Sequence, residues 1–226
     1  MVPVAELREW IEAVKDFVEE PTLVRTDEGL RIVGMDPSHV VLVDAVWKTS
    51  EIDIQQPVTV NANNVVKLLK GLEGDVDVKV EDKRLKIVND VFRLELPLLD
   101  GGGGNVPKPK LSFKARLEVS AAELAKAVAK AAEVSDHCRL TAKDGELVLS
   151  AKNDLYVFEQ TLKPEKFEAE KEVRASFSLT YLGNIVKALK RVAEKTELKY
   201  ASDKPLQFVA ENDKLRVEVW CAPRVE

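Results

Sequence analysis

Apolar residues recur at three- and four-residue spacing in four stretches of the chain. PVAELREWIEAVKDFV and SAAELAKAVAKAAEV each predict an amphipathic helix, and NANNVVKLLKGL and TYLGNIVKALKRV predict a second pair. After each first helix the period drops to two. LVRTDEGLRIVGM and RLTAKDGELVLSA alternate apolar with polar residues around an Asp/Gly turn, which predicts a hairpin in each half. VVLVDAVWK and LYVFEQTLK then read as strands, and short strands broken at EDKR, DKP and END follow each second helix.

The same order of elements thus occurs twice, with a unit of about half the chain, too long for a solenoid repeat. The predicted fold class is α+β, built from two duplicated domains of antiparallel sheet and helix. Between them runs LLDGGGGNVPKPKL. Four glycines followed by Pro-Lys-Pro hold neither helix nor strand, so residues 99–110 are expected to connect domains at 1–98 and 111–226.

In NNVVKLLKG the expected buried stripe is Val65, Leu68, Leu69 and Leu72, which leaves Lys67 and Lys70 outside it. The matching helix of the second half exposes Lys187, Lys190 and Arg191. SAAELAKAVAKAAEV exposes Lys126 and Lys130, whereas Arg8 and Lys15 in the first helix are diluted by Glu6, Glu9 and Glu12. The second helix of each half is therefore net basic, and SAAELAKAVAKAAEV balances two lysines against two glutamates, in a chain of formal charge −5. The acids fall mainly in strands and loops, at EGD, EDK, PEKFEAEKE and the final VE. If the helices share one side, a basic surface sits on an acidic body, and nucleic acid is its natural partner.

Other chemistry is weakly signalled. Cys138 and Cys221 lie far apart without CxxC or Cys/His spacing, so buried free thiols are expected, with no zinc site and no cofactor. GGGG is followed by NVPKPK and not by a Gly-Lys and a helix, unlike a phosphate-binding loop. Ser38 beside His39 in DPSH could suggest a hydrolase, but neighbours in sequence do not make a triad. His137 is expected at the end of a helix in a structural role. No apolar run approaches the roughly 20 residues of a membrane helix, and the amphipathic, acid-bearing N-terminus is unlike a signal peptide. A cytoplasmic, nucleoid-associated location without membrane contact is expected.

GLRIVGMDPSHVVLVD, LTAKDGELVLSA, SLTYLGNIVKALK, ASDKPLQFVAENDKLRVEVW and the terminal CAPRVE resemble, in order and spacing, the sliding clamps of the proliferating cell nuclear antigen (PCNA) type, in their archaeal form. The resemblance covers nearly the whole chain. It implies a non-catalytic ring of three subunits, a homotrimer or a heterotrimer with paralogous chains, with helices lining a hole for duplex DNA and sheets outside. Lys15, Lys67, Lys70 and Lys187 match basic lining positions by the resemblance, and Lys126 lies beside them. Lys130 and Arg191 are assigned from helix face alone.

The resemblance further implies docking of DNA polymerase, flap nuclease, ligase and clamp loader through short hydrophobic peptides. Matching positions are Met35, His39 and Leu42, then Val106 and Pro107 in the connector, Pro205, and Trp220, Ala222, Pro223 and Val225. For Met35 and Leu42 core packing is an alternative reading. Val91 to Leu98 and Leu155 to Leu162 match the strands that join subunits, although internal core strands would carry the same pattern. Two departures stand out: only MVP precedes the first helix, which leaves its strand shortened or absent, and Gly104 replaces a bulky apolar connector residue, which is expected to weaken the peptide pocket. A peptide-binding module that forms no ring is the alternative reading.

Overall fold

The computed structural model describes residues 1–52, 54–100 and 106–224, which divide into two compact units. The first comprises Met1–Pro107 with Asp213–Arg216, and the second Lys108–Asn212 with Val217–Glu226.

In the first unit β1 (Val2–Pro3) leads into α1 (Val4–Glu12), followed by β2 (Thr22–Thr26), β3 (Gly29–Met35), β4 (Val41–Trp47) and β5 (Val58–Thr59). Then come α2 (Ala62–Leu69), β6 (Asp75–Glu81), β7 (Arg84–Val88) and β8 (Arg93–Pro97). The strands form the orders β5-β2-β3-β4 and β1-β6-β7-β8, with antiparallel pairing. The N-terminal strand is therefore shortened, not absent: Val2 pairs with Val76 and Pro3 with Asp75.

The second unit repeats the plan. β9 (Ala115–Ser120) and α3 (Ala121–Ala132) precede β10 (His137–Lys143), β11 (Glu146–Lys152), β12 (Val157–Leu162), β13 (Lys166–Ala169) and β14 (Val173–Ser178). α4 (Leu179–Val192), β15 (Lys195–Tyr200), β16 (Leu206–Glu211) and β17 (Leu215–Cys221) complete it. The orders β14-β10-β11-β12 and β9-β15-β16-β17 match those of the first unit one for one. β13, in the acidic stretch that carried no strand pattern, is an addition paired to β9. His137 opens β10 and does not end a helix.

Turn chemistry fixes the hairpins. Asp144 and Gly145 both take positive φ, 50° and 85°, as a two-residue turn matched to strand twist requires. Gly29, at φ 139°, is required sterically, because a Cβ there would stand 2.0 Å from the Trp47 carbonyl oxygen. Each unit then closes an apolar layer between helices and sheet. In the first, Trp10 of α1 is fully buried, lies 5.6 Å centroid to centroid from Trp47 of β4, and donates its indole N–H to the Ala45 carbonyl at 3.4 Å. Tilted aromatic pairs of this kind contribute about 0.5–1.5 kcal/mol beyond their buried area.

Helix bounds differ from the periodic pattern in two places. α1 stops at Glu12, and residues 13–17 continue as turns in which Phe17 N–H reaches back only three residues, to the Val14 carbonyl. In α2 the buried residues are Ala62, Val65 and Leu69, whereas Leu68 is 46% exposed and Leu72 lies past the helix, half-buried. Leu68 and Leu69 are adjacent, and adjacent residues point about 100° apart, so a narrow contact face takes one and not both.

Candidate nucleic-acid and peptide interfaces

Caps and burial set the helix faces. Asn61 accepts the Asn64 N–H at 2.9 Å and starts α2, and Ser120 accepts the Glu123 N–H at 3.3 Å and starts α3. On α2, Lys67 lies opposite the Val65 and Leu69 contacts, and Lys70 is the C-cap residue; both are exposed. On α3, Leu124, Ala127, Val128 and Ala131 are buried and Lys126 and Lys130 point outward. On α4, Ile185, Val186, Ala188, Leu189 and Val192 are buried, which leaves Lys187, Lys190 and Arg191 outside. α1 packs beside α2, and α3 beside α4.

The seven assigned cations are not equivalent. Lys67, Lys70, Lys126, Lys187 and Arg191 make no ion pair among the described residues. Lys130 binds Glu133 at 2.6 Å one turn along its helix. Lys15 lies beyond the end of α1, half-buried, and binds Asp16 at 2.8 Å. Sequence reasoning gave Arg8 no weight. Its Nε is buried without a hydrogen-bond partner among the described residues.

The DPSH segment is a structural loop. Asp36 is buried, and its Oδ1 accepts the Val40 and Val41 N–H groups at 2.7 and 2.6 Å while Oδ2 accepts Ser38 N–H at 3.0 Å. These bonds hold His39 at φ 58°, exposed. With both oxygens committed to backbone, Asp36 orients the loop and no imidazole.

Peptide-site positions are distributed over both units. In the first, Met35 ends β3, half-buried, opposite Leu42 of β4, which is buried. Val106 is half-buried and Pro107 exposed. In the second, Pro205 precedes β16, and Ala222 and Pro223 follow β17, all half-buried; Trp220 in β17 is 5% exposed. Val225 and Gly104 lie outside the described residues. Arg224 anchors this tail, donating its backbone N–H to the Ser176 carbonyl at 2.7 Å and its guanidinium to Asp136 at 2.9 Å. Hydrogen bonds from His137 and then Arg224 hold the exposed Asp136 carboxyl well below its ordinary value, at about 2.

Both cysteines are free and buried, and burial pushes the Cys138 thiol up to about 12. Among the described residues no group of three or more His, Cys, Asp or Glu is placed to hold a metal ion, and no helix is long and apolar enough to cross a membrane.

The strands singled out for subunit contact are both sheet edges. β8 ends the order β1-β6-β7-β8, and β12 ends β14-β10-β11-β12. Each begins beside exposed apolar side chains: Val91 is 89% exposed, and Leu155, Tyr156 and Val157 are 81%, 62% and 77% exposed. Apolar groups so placed on an open edge mark a surface for association.

Residues 2–93 match the family model described as proliferating cell nuclear antigen, N-terminal domain. A DNA polymerase sliding clamp from Cenarchaeum symbiosum is 28% identical over 97% of this chain and 95% of its own length. One from Pyrococcus horikoshii is 29% identical over 98% and 95%. Among solved structures, A. fulgidus PCNA bound to the C-terminal region of FEN-1 superposes with a TM-score of 0.87 at 23% identity, covering 100% of this chain and 99% of that one.

Proposed function

We propose that this chain is a DNA sliding clamp of the proliferating cell nuclear antigen family: a non-catalytic subunit of a three-membered ring that encircles duplex DNA and tethers replication and repair enzymes. The observation that carries the reading is a set of exposed cations that make no ion pair among the described residues, Lys67, Lys70, Lys126, Lys187 and Arg191, on or at the end of helices of both units in a chain of net charge −5. Phosphates attract such side chains without regard to base sequence, and a lining that contacts phosphate alone is free to slide. Lys15 and Lys130 contribute less, because Asp16 and Glu133 already neutralise them.

Retention is topological. Contacts to a handful of phosphates lose affinity by orders of magnitude as salt rises, whereas a closed ring stays on DNA that has no free end. Ring closure is head to tail, β8 of one subunit against β12 of the next, so that each open edge finds a partner. Residues 99–110 connect clamp domains at 1–98 and 111–226. Polymerase, flap nuclease, ligase and clamp loader dock short hydrophobic segments against Met35, His39, Leu42, Val106, Pro107, Pro205, Trp220, Ala222, Pro223 and Val225. The protein acts at the nucleoid in the cytoplasm.

Sedimentation equilibrium at several concentrations tests the assembly. A mass three times the 25.2 kDa of one chain, alone or after addition of paralogous chains, is expected. A monomer that pairs with neither itself nor a paralogue overturns the reading.

A further inference from the structure

The two units carry the same helix pair with different charge. In the repeated plan Ala5-Glu6-Leu7 of α1 corresponds to Ala122-Glu123-Leu124 of α3, so Glu9 occupies the position that Lys126 holds in the second unit. Both side chains are exposed, and each is followed by a buried residue, Trp10 or Ala127. α2 and α4 correspond as well: Lys67 and Lys70 stand where Lys187 and Lys190 do, and Gly71 stands where Arg191 does. In α1 and α2 with its C-cap, Arg8, Lys67 and Lys70 are matched in number by Glu6, Glu9 and Glu12. In α3 with its C-cap and α4, Lys126, Lys130, Lys187, Lys190 and Arg191 outnumber Glu123 and Glu133. Glu6 is held by the Lys214 ammonium, whose field also reaches Glu9, but Glu9 and Glu12 make no ion pair among the described residues.

We infer that Glu9 is a phosphate-repelling residue of the DNA-facing surface, so that the second unit's helix pair carries most of the attraction for the duplex and the first unit's pair holds it loosely. The inference rests on the DNA-encircling reading above. α1 packs beside α2, which puts Glu9 in the same helix layer as Lys67. A carboxylate repels any phosphate that comes within a Debye length, about 8 Å at physiological salt, and beyond that distance it is largely screened. Glu9 thus opposes what Lys67 and Lys70 gain without removing either contact, and α1 differs in sign from α3 at the one position where the repeat would place a lysine.

The test measures duplex binding by fluorescence anisotropy across a salt series for the full chain as wild type, Glu9→Lys, Glu9→Gln and Glu28→Lys. Glu, Gln and Lys are all strong helix formers and Glu9 is exposed, so its replacement leaves α1 intact. Glu28→Lys makes the same charge change in the exposed turn between β2 and β3 and controls for net charge alone. Glu9→Lys is expected to tighten binding about fivefold at about 0.15 M salt for each phosphate newly contacted, and to steepen the dependence of log affinity on log salt by about one per contact. Glu9→Gln, which removes the repulsion and adds no cation beside Lys214, is expected to tighten binding with little change in slope. Glu28→Lys is expected to stay near the wild type. A wild type that binds DNA while Glu9→Lys matches Glu28→Lys overturns the inference and leaves the clamp reading standing. No binding by any of the four proteins at about 50 mM salt overturns the clamp reading and the inference with it.

Discussion

Arg31 grips Asp44 through two parallel hydrogen bonds, Nε to Oδ1 and Nη2 to Oδ2, each 2.9 Å, although the Asp44 side chain is 2% exposed. Such a fork pairing compensates for burial only while both partners are present. Arg31→Met, which takes the fork away from the 2% exposed carboxylate, is therefore expected to destabilise the protein by about 3 kcal/mol in urea unfolding, and Arg31→Met with Asp44→Leu to cost less than the two single changes summed. A double variant that costs the sum of the two singles would show that the pair is not coupled.

Gly29→Ala places a methyl group against the Trp47 carbonyl in a backbone region that side chains rarely adopt. The combined clash and strain predict destabilisation by about 3 kcal/mol or more. Gly145→Ala, with open space around its Cβ, meets only the backbone strain and is expected to cost less than Gly29→Ala. Thermal unfolding of the two variants checks the order.

Asp136 governs the acid response of the C-terminal tail. Its folded carboxyl titrates at about 2, below the ordinary value of 3.8, so the stability it contributes is full above about 4 and is lost as pH falls toward 2. Carboxyl NMR is expected to give a midpoint near 2 that moves up in Arg224→Ala. A wild-type midpoint at the ordinary value would show that Arg224 and His137 do not anchor the tail through this carboxylate.

Charge pairing separates the candidate DNA-binding side chains. Removing one cation that binds a phosphate is expected to lower the slope of log affinity against log salt by about one. Lys67→Ala and Lys187→Ala should each do so, while Lys130→Ala, whose ammonium Glu133 already holds, should change the slope less. Fluorescence anisotropy on a duplex of arbitrary sequence at several salt concentrations measures the difference. Equal slopes for all three variants would mean that the unpaired state of Lys67 and Lys187 has no bearing on DNA.

Much of the fold was legible in residue spacing. The helix and strand periods, the Asp/Gly turns and the duplicated order all reappear as matched sheets. Elements specified by tertiary pairing were not legible. β13, KFEA, reads as an acidic loop until Phe167 is placed opposite Leu117, and the two-residue β1 exists through its bonds to β6. No Gly or Pro marks the end of α1, so the pattern ran on through residues 13–17. In the candidate sites, side-chain type and helix face identified the exposed cations. Which of them are neutralised depended on the rotamers of Asp16 and Glu133.

Salt-resistant retention on a duplex with blocked ends tests the central claim most directly. The assembled protein is threaded onto linear DNA biotinylated at both termini, streptavidin is added to cap the ends, and the DNA is washed in about 1 M NaCl, where phosphate binding alone fails. A ring is expected to stay on the capped duplex, leave the uncapped one, and be released when a nuclease cuts between the caps. Equal wash-off from capped and uncapped DNA, by a protein of trimer mass, would contradict an encircling ring.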